Sequence, residues 1–243
     1  MLLRLPVSVT EAQECLAEGA VPIGGATLVW ATWQRDGFPD LAMSLRHLPE
    51  AGVIEREALG AAVLLHQMDG RVPEALRRAA ATVGTGAVRR TATVGGNLVG
   101  STLRCLLPAA LVLDARAVVL ETDGLRETDL TEAVTKRHLL LGLRWHEPIA
   151  SGYRKQPGET GGPPPFVTAV AVHAGDDSGH RRLRVAVRDG YDVHHDSTTF
   201  DTDAGVEDVL TALQDTAVGA LDAPGRAVVR EHVTELLAGL PPR

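Results

Sequence analysis

Apolar residues recur along the chain with two different periods. Leu41–Leu45, Ala117–Glu121, Leu139–Trp145, Phe166–Val172 and Leu183–Arg188 are short runs rich in Val, Leu and Ala, which reads as buried strand. Val53–Ile54 and Leu59–Val63 add two briefer strand candidates, and Leu2–Pro6 and Ala20–Ile23 are short extended segments. A helical period governs Val72–Val83, where Leu76, Ala79, Ala80 and Val83 share one face, and Pro73 is admissible in the first turn. Further helices are predicted from Ser8 to about Gly19, from Leu28 to Trp33, over Leu106–Leu113, over Asp129–Lys136, over Gly205–Val218 and over Pro224–Leu240. Ser8 with Glu11 three residues later is a capping box. Cys15 falls among apolar helix positions and reads as a core thiol. Arg46–Pro49, Thr122–Thr128, Gly175–Gly179 and the Gly- and Pro-rich stretch Ser151–Pro165 read as turns, the last of them mobile.

Two glycine pairs punctuate this pattern. Gly24-Gly25 follows Pro22-Ile23 and precedes Ala26-Thr27-Leu28; Gly95-Gly96 stands in Thr93-Val94-Gly95-Gly96-Asn97. Adjacent glycines let a backbone come close to a bulky anion, and Thr93 and Asn97 add a hydroxyl and an amide able to bond phosphate or sugar oxygens. One such turn is most often only a turn. Two of them, each ending in small polar residues, suggest loops that close on one diphosphate. The small residues Gly60–Ala62 suit a close approach of ligand or backbone.

Bulk properties narrow the function. The 243 residues suit one large or two modest domains, and 44% of them are apolar but only 3% aromatic, so the core is mainly Leu, Val and Ala. A net charge of −7 without a basic tract argues against a nucleic-acid surface. Cys15 and Cys105 form neither a disulfide framework nor a metal-binding pair. Met1–Pro6 lacks the apolar core of a signal peptide, and no uncharged run is long enough for a membrane span, so a cytoplasmic protein without membrane contact is expected.

Other chemistry-bearing residues are weaker signals. His194-His195-Asp196 reads as a surface turn, because neighbouring strand residues point to opposite faces and one site cannot use both histidines. His66 and Asp69 have no third ligand at convincing spacing, and no metal site is expected. No Ser-His-Asp arrangement and no iron–sulfur or molybdenum ligands are legible, so no catalytic residue is assigned. Arg104 reads either as a phosphate contact or as a surface charge, and Cys105 as an inert buried thiol.

The run from Ala87 to Asp114 resembles the FAD-binding medium chains of molybdenum hydroxylases, such as that of carbon monoxide dehydrogenase, and the flavin domain of xanthine dehydrogenase. That family carries a pattern like Ile-Arg-Asn-Arg-Gly-Thr-Ile-Gly-Gly-Asn before a Leu-Pro-Ala-Ala-Leu helix. Here Val88–Asn97 reads Val-Arg-Arg-Thr-Ala-Thr-Val-Gly-Gly-Asn, and Leu107–Leu111 reads Leu-Pro-Ala-Ala-Leu. The family's earlier Ala-Gly-Gly-Thr-Asp-Leu loop has its counterpart in Ile23-Gly24-Gly25-Ala26-Thr27-Leu28.

The resemblance implies an α+β fold: a two-lobed FAD-binding domain of the PCMH type over 1–147, with lobes at roughly 1–55 and 56–147, and a small C-terminal domain of antiparallel sheet and helices over 148–243. It implies FAD in a cleft between the lobes. Ile23–Leu28 and Gly95–Asn97 would hold the pyrophosphate through backbone groups, with side-chain bonds from Thr93 and Asn97. Ser101 would lie along the flavin, and Tyr153 and Lys155, read as lying on a loop, would stand close to the isoalloxazine. The implied activity is that of an FAD-dependent oxidoreductase or electron-transfer subunit. Its implied partners are a [2Fe-2S] small chain and a molybdopterin large chain, with a small-molecule substrate or electron acceptor; a homodimer is also open. A stand-alone flavoenzyme and a non-catalytic relative that has lost FAD are the alternatives. Three departures bear on them. Ser101–Leu106 lacks the family's Pro and acidic residue, so Leu106 stands where a carboxylate is expected; the basic run after Tyr-x-Lys is replaced by Pro157–Gly162; and Glu121–Trp145 is short.

Overall fold

The structure is a computed structural model describing residues 1–159, 161–177 and 179–240. Thr160, within the expected loop Ser151–Pro165, and Ser178, within the expected turn Gly175–Gly179, lie outside the described residues. In chain order the elements are β1 (Leu2–Arg4), α1 (Val9–Ala17), β2 (Val21–Ile23), α2 (Val29–Asp36), β3 (Leu41–Ser44), β4 (Ala58–Gly60), α3 (Glu74–Ala81), α4 (Gly86–Arg89), α5 (Leu107–Val112), β5 (Arg116–Glu121), β6 (Gly124–Asp129), α6 (Leu130–Thr135), β7 (Leu139–Arg144), β8 (Ala150–Lys155), β9 (Val167–Ala174), β10 (His180–Asp189), β11 (Asp192–Asp201), α7 (Val206–Ala212) and α8 (Ala223–Ala238). They gather into two compact units: 1–72 with 83–106 and 115–145, and 73–82 with 107–114 and 146–243.

The first unit contains a parallel sheet in the order β1-β3-β2 and an antiparallel sheet in the order β4-β7-β5-β6. Ser8 caps α1 by accepting the Glu11 N–H, while the Glu11 carboxylate accepts the N–H of Val7. The buried face of α1 places Ala12 beside Leu45, Leu48, Ala51, Leu120 and Leu141 in one core. Residues from both expected lobes therefore share that core. Cys15 is buried beside Ala20 and Met43, as its helix position predicts.

The second unit is a sheet in the order β11-β10-β9-β8, antiparallel throughout. Alternation along β9 and β10 sends Val170, Val172, Leu183, Val185 and Val187 into a core with Val209, Leu213, Val229 and Val233 of the closing helical segments. The opposite face receives α5. There His173 Nε2 donates to the Val112 carbonyl at 2.8 Å, and Arg184 donates to the Leu111 carbonyl while pairing with Asp114 at 2.8 Å. These contacts satisfy carbonyls that the end of a helix leaves open.

Several sequence expectations are corrected. Thr122–Thr128 is not a turn: Gly124–Asp129 pairs along the whole of β5. His194-His195-Asp196 lies inside β11, with His194 opposite Val187 and His195 opposite Ala186. Tyr153 and Lys155 lie on β8 and not on a loop. Val53–Ile54 forms only an isolated bridge between Ile54 and Leu59. Of the two reasons open for Gly60, a ligand or a close backbone, the second holds: a Cβ there would overlap the backbone of Ala51.

Candidate functional site

The first glycine loop is built by a short strand and an uncapped helix. Ile23 ends β2 opposite Ser44. After Gly24-Gly25 the chain turns through Ala26, at φ 55°, and enters α2 with Leu28 as the N-cap, a residue with no side chain able to cap. Among the described residues, the N–H groups of Gly25, Ala26, Thr27 and Leu28 have no acceptor on the chain. Four successive donors thus stand open where the helix dipole presents its positive end.

The second loop is held from both sides. Leu64 and Thr93 form a bridge, Val94 donates to Val63 at 3.0 Å, and Gly95 donates to Ala61 at 2.9 Å. Gly95 has φ −61° and Gly96 opens a π-helical turn over Gly96–Gly100, so neither glycine is there for a left-handed backbone. Close approach explains them: a Cβ on Gly95 would stand 3.0 Å from the Ala61 Cβ, and one on Gly96 3.0 Å from Thr93 Oγ1. The two loops also meet. A Cβ on Gly24 would overlap Thr93 Oγ1, and one on Gly25 would overlap the Thr91 carbonyl.

The polar side chains of the second loop are engaged inside the fold. Thr93 Oγ1 accepts the Gly96 N–H at 3.1 Å, and Asn97 Oδ1 accepts the Leu106 N–H at 2.9 Å. Asn97 is 5% exposed and Leu106 is fully buried. Ser101 Oγ accepts the Leu103 N–H at 3.2 Å. Arg104 follows at φ 41°, and its buried Nε has no hydrogen-bond partner among the described residues.

In the second unit, Ser151, Tyr153 and Lys155 share one face of β8 and together grip α3. Ser151 Oγ accepts the Ala75 N–H at its start. At its end, Tyr153 OH lies 3.4 Å from Thr82 Oγ1, and Lys155 Nζ donates to the Thr82 carbonyl at 3.2 Å. Tyr153 is buried and Lys155 exposed. A lysine at the carbonyl end of a helix also complements its dipole.

The remaining candidates are accounted for locally. His66 Nδ1 faces the Arg89 carbonyl, and Asp69 forms a forked pair with Arg71. Asp196 accepts the N–H groups of Ser197 and Ala217. No group of three or more His, Cys, Asp or Glu able to hold a metal occurs among the described residues, and no described helix is long and apolar enough to cross a membrane. Sequence reasoning missed His232. Its ring is buried, with Nδ1 2.8 Å from Thr168 Oγ1, and burial followed by the charges of Arg154 and Arg78 pushes its pKa down to about 3. The open donors at the start of α2 fall within Ile23–Leu28, the loop expected to hold the pyrophosphate, and no capping residue precedes Val29.

The chain is similar in fold to a chain in the crystal structure of quinoline 2-oxidoreductase from Pseudomonas putida 86, with a TM-score of 0.68 and 16% identity over 98% of this chain and 95% of that one. No curated protein matches the sequence. The family described as "FAD binding domain in molybdopterin dehydrogenase" matches residues 3–139, more than half of the chain. The chain therefore belongs to the family of FAD-binding domains of molybdopterin dehydrogenases.

Proposed function

We propose that this protein is an FAD-binding oxidoreductase or electron-transfer subunit of the medium-chain type. Residues 1–147 are its two-lobed FAD-binding domain of the PCMH type, and 148–243 its C-terminal domain. The observation that carries the reading is the set of open N–H donors from Gly25 to Leu28, beside the segment Thr91–Thr93 within the family-matched region. This donor set fits the diphosphate of FAD: several backbone N–H groups at a helix start.

FAD, when bound, supplies the redox chemistry. The protein's own residues bind and position it. Gly25–Leu28 offer donors to the diphosphate. Thr93 and Asn97 act one step back, since their oxygens fold the loop that carries Gly95 and Gly96. Ile23, Gly24 and Ser101 complete the loops, and Tyr153 and Lys155 belong to the proposed flavin site through their place in the family pattern. A [2Fe-2S] partner chain, itself supplied by a molybdopterin chain, would deliver electrons to this subunit, from which a small-molecule acceptor would take them.

The test is spectroscopic. Purified protein is expected to show a flavin absorbance, or to acquire one on addition of FAD, with FAD preferred over FMN and riboflavin. Equal affinity for riboflavin and FAD would remove the diphosphate role from both loops. Co-purification with two further chains separates a complex subunit from a stand-alone flavoenzyme.

A further inference from the structure

Aromatic residues are scarce in this chain, yet three of them stand together, two on a helix that buries nothing and one just after it. No residue of α2 is buried. Trp30 and Trp33 are one turn apart on it, and Gly37, at φ 101°, turns the chain so that Phe38 comes back against both. The ring centroids of Trp30 and Phe38 are 5.4 Å apart at 71°, and those of Trp33 and Phe38 are 6.1 Å apart at 62°. The assembly still faces water: Trp30 is 51% exposed, Phe38 43% and Leu28 50%. Scattered exposed apolar residues are ordinary, but an edge-to-face aromatic cluster that covers no core marks a surface with an occupant.

We propose that the Trp30–Phe38–Trp33 cluster is the stacking platform for the adenine ring of the bound dinucleotide. The inference rests on the FAD reading above. Leu28 carries one of the open donors, and Trp30 stands two residues further on, about 3 Å along the helix axis. Helical side chains lean toward the helix start, so the Trp30 indole is carried back toward those donors. A diphosphate seated there has its nucleoside ring within one ribose of that indole. Adenine fits this surface better than isoalloxazine does. The redox ring needs hydrogen-bond partners around its heteroatoms to set its potential, whereas the cluster offers apolar faces. A purine needs only a π-face to stack on.

The test titrates the flavin-free full chain with ADP, FMN and inorganic pyrophosphate while tryptophan emission is recorded. Trp145 is buried, with its Nε1 bonded to the Arg56 carbonyl at 2.9 Å, and gives a constant background. ADP is expected to quench the exposed tryptophans, while pyrophosphate and FMN do not. Trp30→Leu and Trp33→Leu keep an apolar side chain on an exposed helix; each is expected to weaken ADP and FAD binding about tenfold and to leave pyrophosphate affinity unchanged. Unaltered ADP affinity in both variants, with FAD still bound, overturns the platform and leaves the FAD reading standing. Quenching by FMN and not by ADP gives the surface to the isoalloxazine and overturns the assignment. Self-association lost in Trp30→Leu at unchanged ADP affinity gives the surface to a second copy and overturns it equally. A wild-type chain that binds neither FAD nor ADP sinks the FAD reading and the platform together.

Discussion

Gly25 lies against the carbonyl group of Thr91 with no room between them for a Cβ. This contact joins the two glycine loops and sets where the open donors of α2 begin. The neighbour is backbone, which cannot rotate away. Gly25→Ala is therefore expected to lower the stability of the flavin-free protein by about 1–3 kcal/mol through overpacking, and to weaken FAD binding as the helix start shifts. Gly96→Ala meets only Thr93 Oγ1, at 3.0 Å, and is expected to cost less. Thermal melts of the two apo variants check the ranking; equal melting temperatures would show that the loops do not lean on each other.

Asn97 and Leu106 give a second expectation. The Leu106 N–H is buried and its acceptor is the Asn97 carboxamide oxygen. Asn97→Ala leaves that donor unsatisfied and is expected to cost about 1–3 kcal/mol. The same burial decides whether a carboxylate restored at Leu106 could reach the cofactor. Leu106 is core, so Leu106→Asp buries an unpaired acid; it is expected to destabilise the fold by several kcal/mol and to bring no gain in FAD affinity. FAD titration beside melts of apo and loaded protein measures both. Tighter FAD binding at unchanged stability would place the side chain in the cofactor site after all.

The strands that escaped sequence reading share one position. β6, β8 and β11 are all sheet edges, whereas β5, β7, β9 and β10, recognised as apolar runs, are central. An edge strand packs less of its surface and carries polar residues to blunt its open side. Glu127 on β6, and His194, His195 and Asp196 on β11, therefore read as turns. β8 is hidden for a related reason: Gly152 lies in it, and all but its first residue falls within the Gly- and Pro-rich stretch Ser151–Pro165. The glycine loops were legible because their spacing and flanking residues are local. The engagement of Tyr153 inside the fold was not, since its partner Thr82 is 71 residues away.

Tyr153→Phe separates two roles for that residue. Removing the hydroxyl takes away its contact with Thr82 and is expected to cost about 1 kcal/mol. Lys155→Met removes a donor from the Thr82 carbonyl at an exposed site and is expected to cost less. If these side chains only hold α3, the flavin spectrum of the loaded protein stays as it was in both variants. A shifted flavin band in Lys155→Met at unchanged stability would instead support a place beside the isoalloxazine.

His232 is expected to make the fold acid-sensitive in a defined window. Its ring is held neutral in the folded protein, with a pKa pushed down to about 3 from an ordinary 6.5, by burial first and by Arg154 and Arg78 after it. The unfolded chain takes up a proton as pH falls below 6.5, and the folded chain does not until about pH 3. Stability is therefore full above 6.5 and falls as pH drops between those values, at up to about 1.4 kcal/mol per pH unit. His173, also lowered by burial, acts in the same direction. The exposed His180, raised by Asp177, acts in the opposite one. Glu132, lowered to about 2 by Lys136 and Thr128, loses its contribution only as pH falls from its ordinary 4.5 toward that value. Between pH 6.5 and 4.5 the histidines alone set the slope, so His232→Asn isolates its share. Asn is chosen because its amide keeps a polar partner for Thr168 in a smaller volume. The variant is expected to be less stable than wild type at pH 8 and to lose less on moving to pH 5. Urea midpoints at the two pH values measure the difference, and an equal loss in both proteins would mean that His232 is already solvated in the native state.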